Sequence, residues 1–189
     1  MHECMNARVH IKRRTACACV HWCILAFLAV VSVRAEVIDR VLAVVAGNLI
    51  TLSDVNAAYE LGLAGPGRTA DLIRDVLSQL IDRELELAEV DRYAPPEPTA
   101  EEVDREVRTV RARFPSQQAF DAVLARSGID LPHLRETLRE TLRIRAYLNQ
   151  RFLAAADRRQ QVIDDWIAGL RRRADIIDLY VPGRDRIRS

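Results

Sequence analysis

The chain has 189 residues, 49% hydrophobic and 29% charged, with a formal net charge of +1. That near-balance conceals an asymmetry, because five of the 28 basic residues precede position 36, leaving a remainder with 23 Arg, no Lys, 26 acidic residues and a net charge of −3. A mildly acidic body has no electrostatic basis for binding nucleic acid. Cys4, Cys17, Cys19 and Cys23 all lie in the first segment and His133 is the only histidine beyond it, so the remainder has no Cys nucleophile, no Lys Schiff base, no multi-histidine zinc site and no bound metal or cofactor to expect.

The chain opens with a basic cluster, Lys12, Arg13 and Arg14, followed by an apolar run from Ala16 to Val33 that closes on Val33-Arg34-Ala35. Basic, apolar and small in that order is the pattern of a secretory signal peptide, with cleavage expected between Ala35 and Glu36. The alternative is an uncleaved N-terminal anchor, since the run approaches the roughly 20 residues that span a bilayer. The expected division is a signal over 1–35, one domain over 36–182 and a flexible tail over 183–189. A thiol-free remainder of 154 residues fits an oxidising compartment and has no disulfide framework.

Val37 to Val45 reads as a strand, Ala46-Gly47-Asn48 as a hairpin turn and Leu49-Ile50-Thr51 as the return strand. Ser53 reads as the N-cap of a first helix that ends near Gly62. A second helix is predicted over 70–93, where Leu72, Val76 and Leu80 run beside Ile73, Leu77 and Ile81, with Arg74, Asp75, Asp82 and Arg83 opposite. Pro95-Pro96-Glu97-Pro98 stops it. Thr99 and Glu102 form a capping box for a polar third helix that runs to about Phe114 on Val103, Val107 and Val110. Ser116 caps a short fourth helix, buried through Phe120, Val123 and Leu124, that closes at Gly128. Asp130 starts a fifth helix that runs to about Leu153 with apolar residues on two faces. After a joint at 154–157, a sixth helix over 158–174 is expected to bury Val162, Trp166 and Leu170. Ile176 to Val181 reads as a terminal strand, with Ile177, Leu179 and Val181 alternating against Asp178 and Tyr180. An isolated hairpin is marginal, so this strand is expected to pair with the first one. The fold class is mainly α with about six helices and a small β element.

In this order the parts resemble the SurA family of periplasmic chaperones. The stretch from Val41 to Val55, with its Ala46-Gly47-Asn48 turn and Ser53-Asp54-Val55 helix start, is similar to that family's opening hairpin. Leu80-Ile81-Asp82-Arg83-Glu84-Leu85 is similar to its second helix, and Trp166 to Ala174 leading into a strand is similar to how it closes. The resemblance covers Glu36 to Pro182. It implies a SurA-core or trigger-factor-like chaperone module in the periplasm that binds unfolded polypeptides, outer-membrane protein precursors in particular. One departure stands out. SurA proteins usually carry parvulin prolyl isomerase domains where this chain has only a few residues around 154–157. Isomerase activity is therefore not carried over, and no enzymatic role is expected.

Client binding on this reading is to an apolar cleft, for which Tyr59, Phe114, Phe120, Tyr147 and Phe152 are the aromatic candidates. Core packing is the competing role for each. A rival function is a scaffold or assembly subunit that docks one folded envelope partner through exposed Arg/Glu helices such as 101–113. A homodimer that shares the fifth helix is compatible with either.

Overall fold

The computed structural model of the chain describes residues 39–153 and 156–183. The expected signal segment and its expected cleavage point at Ala35–Glu36, residues 154 and 155 of the joint, and the tail beyond Gly183 lie outside the described residues. Within them, β1 (Val41–Val45) and β2 (Asn48–Thr51) form a hairpin, followed by α1 (Leu52–Glu60), α2 (Leu72–Tyr93), α3 (Ala100–Arg111), α4 (Gln117–Ser127), α5 (Leu131–Arg151), α6 (Ala156–Arg173) and β3 (Ile176–Asp178). None of these helices is long and apolar enough to cross a membrane.

The expected sheet is present, antiparallel, in the order β2-β1-β3. Ala46 and Gly47 turn the hairpin with φ of +50° and +88°, the left-handed pair that a two-residue turn between twisted strands requires. Val44 pairs with Leu49 on one side and Ile177 on the other. An irregularity between Val41 and Ala43 interrupts the alternation, so Leu42, Ala43 and Val45 are all fully buried.

Caps set the helix boundaries. For α1 the cap is Thr51 rather than Ser53: its hydroxyl accepts from the Asp54 N–H, and the Asp54 carboxylate accepts from the Thr51 N–H at 2.8 Å. The reciprocal pair needs a carboxylate three residues on, which Thr51 has and Ser53 lacks. Thr99 with Glu102, Ser116 and Asp130 cap α3, α4 and α5 as the sequence indicates. Gly128 closes α4 at φ +75°, and α3 ends at Arg111, short of Phe114.

Three small cores result. The first packs the sheet against α2 through Ile73, Val76, Leu77, Ile81 and Leu85, joined by Leu170 and Tyr180. The second gathers Leu61, Val110, Phe120, Leu124, Leu134 and Leu138 from α1, α3, α4 and α5. The third, centred on Val90, Ile144 and Tyr147, is sealed by Trp166.

Two predicted faces are corrected. On α6, Val162 is 41% exposed and Ile163 is buried in its place. At about 100° per residue, Val162 lies about 80° around the helix from Leu170, whereas Ile163 lies within about 20° of it. At the C-terminus the strand stops at Asp178, and Ile177, Leu179 and Val181 are about half exposed while Tyr180 is buried. The Tyr180 hydroxyl donates to the Asp71 carboxylate at 2.8 Å, and its ring lies under the Arg74 guanidinium, 4.6 Å from the centroid. Arg74 also pairs with Asp178. The polar end of one tyrosine has selected the buried face against three aliphatic side chains.

The end of α1 gives a stability test. Gly62 has φ +65°, and Arg113 donates to the carbonyls of Leu61 and Gly62 at 2.9 and 2.6 Å. A Cβ at position 62 would stand 2.8 Å from the Arg113 guanidinium. Gly62→Ala is expected to lower unfolding stability by about 1–2 kcal/mol through the left-handed backbone alone, and more if Arg113 is displaced. Urea melts check this through the midpoint at unchanged slope.

Candidate functional site

The apolar line of α2 does not continue along its whole length. Leu72, Val76 and Leu80 recur at intervals of four, and the next residue in that row is Glu84. The row beside it, Ile73, Leu77, Ile81 and Leu85, stays apolar and buried apart from the polar flanks. The mid-section of α2 therefore turns a mixed face away from the sheet, and a cleft of about 460 Å³ opens there.

Four elements and two connecting segments build the cleft. Leu49 and Ile50 of β2 form one end. Asp54, Ala57 and Ala58 of α1 form a floor that small side chains keep low. Leu63 and Ala64 come from the following loop, which the Gln79 side chain holds by accepting from the Gly65 N–H at 2.6 Å. Gln79, Leu80, Arg83, Glu84 and Glu86 of α2 form one wall. Opposite them, behind Ile129, stand His133, Thr137, Glu140, Thr141 and Ile144 of α5, whose spacing of three and four puts them on a single helix face.

Arg83 ties the two walls together. It donates to the Thr137 carbonyl at 3.1 Å and to Glu140 at 2.6 Å, and it reaches Glu84 at 3.3 Å. Glu84 also accepts from the Asn48 amide at 3.2 Å. Burial raises the Glu84 carboxyl above its ordinary value against the pull of Arg83. Burial also pushes Glu86 up, to about 7, with the nearby Asp82 adding to the shift and Arg83 opposing it. Among the described residues no group of three or more His, Cys, Asp or Glu side chains is placed to hold a metal ion.

None of the five aromatic candidates lines this cleft. Phe120 is buried in the second core with Phe114 packed against it, ring centroids 5.6 Å apart. Tyr147 is buried in the third core, 5.5 Å from Tyr93 and 6.0 Å from Trp166, and Phe152 lies 5.4 Å from Trp166. Tyr59 is 46% exposed on α1. None of the residues that line the cleft is Phe, Tyr or Trp, so an aromatic signal does not lead to them. The available signal was Glu84, a carboxylate at the next position of an apolar row.

Two stability measurements follow from these environments. The folded pKa of Glu86 is raised above its ordinary 4.5, so folding favours the protonated form. Its contribution is complete below that ordinary value and is lost as pH rises through about 7. Glu86→Gln should therefore unfold at higher urea than the parent above neutrality, with the advantage vanishing in acid; a constant difference across the pH series would contradict the assignment. The Tyr147 hydroxyl is buried and, among the described residues, has no hydrogen-bond partner. Tyr147→Phe should accordingly leave stability unchanged or raise it by about 1 kcal/mol, read from the same melts.

No family model matches this chain, and no curated protein matches it in sequence, so the functional reading rests on the cleft's own residues.

Proposed function

We propose that this chain is an exported, ATP-independent holdase that binds unfolded polypeptides in the cleft between α1, α2 and α5, without prolyl isomerase activity. Outer-membrane protein precursors are the clients that the sequence resemblance implies. The observation that carries the proposal is the cleft itself. Leu49, Leu63 and Leu80 offer apolar surface over buried Ile50 and Ile144, the rim is polar, and the volume lies within the ~300–1,000 Å³ typical of ligand clefts. Support also comes from the hairpin, the capped first helix and the closing strand, which follow in the order that the resemblance implies.

The size of the cleft fits reversible capture. It holds a few side chains rather than a folded surface. Burying each apolar side chain contributes about 1.5–3 kcal/mol, and association costs at least about 4 kcal/mol in lost freedom. Three or four side chains then give weak binding that is released without an energy source. A client with many such segments gains by repeated engagement.

The test dilutes an outer-membrane β-barrel protein from urea with and without the purified protein, follows light scattering, and repeats this with an unrelated client. Suppression near equimolar ratio for both clients is expected. Thr137→Trp, which places an indole in the cleft from the α5 wall, should abolish suppression while circular dichroism stays unchanged. Failure of the folded parent to suppress scattering would sink the holdase reading and favour a scaffold that docks one native partner.

A further inference from the structure

The cleft has a charge pattern that its apolar floor does not explain. Four carboxylates line it, from Asp54, Glu84, Glu86 and Glu140, against one guanidinium, Arg83, and the imidazole of His133. Three of the four carboxylates are already engaged. Asp54 is closed into the cap with Thr51, Glu84 accepts from Asn48 and Arg83, and Glu140 accepts from Arg83. Arg83 is itself engaged by two carboxylates and the Thr137 carbonyl.

Glu86 differs from the other three. Among the described residues nothing donates a hydrogen bond to it or forms an ion pair with it. It is half-buried, and with Thr141 and Ile144 it lines both the cleft and the adjoining groove between α5 and α6. Every cation near it is committed elsewhere. Arg145, on α5, pairs with Glu106 at 3.0 Å. Arg159, on α6, donates to Asn149 at 2.7 Å and to the Phe152 carbonyl at 3.1 Å. Asp82 on its own helix only repels it. A half-buried carboxylate with no hydrogen-bonded or ion-paired cation is an incomplete pair. A ligand that supplies a cation there gains a charge-assisted hydrogen bond and removes an existing desolvation cost.

Resting on the holdase reading above, we propose that the cleft selects extended segments in which an arginine or lysine side chain reaches Glu86 while flanking apolar side chains occupy the surface of Leu49, Leu63 and Leu80. The polar rim then sets which stretches of a client are held, and the apolar floor sets how long. A cation beside Glu86 favours its charged form, so binding releases a proton and strengthens as pH rises through neutrality.

The experiment uses fluorescein-labelled peptides of one serine- and valine-rich sequence that differ only in a central Arg, Gln or Glu. Fluorescence anisotropy is read with the purified protein, its Glu86→Gln variant and its Thr137→Trp variant. The parent should bind the Arg peptide about tenfold more tightly than the Glu peptide above neutrality. Glu86→Gln should bring the two within about threefold of each other and abolish the rise in Arg-peptide affinity between about pH 6 and about pH 8. Persistence of that rise in His133→Asn would assign it to Glu86 rather than to the imidazole. Equal binding of all three peptides, blocked by Thr137→Trp, would overturn the charge preference and leave the cleft as the binding site. An Arg preference that survives Glu86→Gln would overturn the role of Glu86. Binding of none of the peptides by folded protein would overturn both this inference and the reading beneath it.

Discussion

The architecture depends on the backbone of β1. A central strand must satisfy hydrogen-bonding groups on both edges, and an unpaired buried peptide group costs about as much as a lost hydrogen bond. β2 supplies one edge locally, through a two-residue turn. β3 supplies the other from the far end of the chain, with the Leu179 N–H donating to the Leu42 carbonyl at 2.9 Å. Once both edges are filled, Leu42, Ala43 and Val45 form a fully buried platform on which α2 can lie. Everything between β2 and β3 is a helical excursion that must return to that platform, and Tyr180 reaching Asp71 at the head of α2 fastens the return.

The excursion does not form one core, and the cleft is a product of that division. α1 contributes Val55 and Ala58 to the first core but Ala57 and Leu61 to the second. α5 likewise serves the second core with Leu134 and Leu138 and the third with Ile144 and Tyr147. Where the helices part to serve different cores, space opens between them. Arginines span the gaps: Arg113 on the end of α1, Arg126 on Glu60 at 2.7 Å, Arg83 on α5 and Arg171 on the Ser78 carbonyl at 2.8 Å. Partly exposed ion pairs stabilise little, about 0–1 kcal/mol each. Their planar forks instead fix direction and spacing, which a lysine ammonium does less well.

How much of this was legible in the sequence depended on how local the signal was. The caps at Thr99, Ser116 and Asp130 and the stop at Gly128 are all set by a few adjacent residues and stand where the sequence puts them, and the turn does so at Ala46 and Gly47, while Asn48 already belongs to β2. Ser53 was displaced as a cap by a neighbour with a better-placed carboxylate, Asp54. The face of α6 drifted because a strict spacing of four leaves a 3.6-residue helix within two turns, which separates Val162 from Leu170. The terminal strand inverted because apolar alternation gives no weight to a hydroxyl with a partner at the start of another helix. The cleft was the least legible feature. An open face with an apolar floor looks, residue by residue, like an ordinary polar helix surface, and aromatic residues drew attention to the cores they fill.

The position of β3 has a consequence for the life of the chain before it is folded. A polypeptide emerges from its N-terminus, so the strand that needs a partner is made long before that partner, β3. Until residues 170–180 arrive, the hairpin has an open edge and α2 lacks the cover of Leu170 and Tyr180. Arrival of β3, rather than any local step before it, is the event that closes this fold. Truncation ahead of Ile176 would therefore damage the platform that β1 forms.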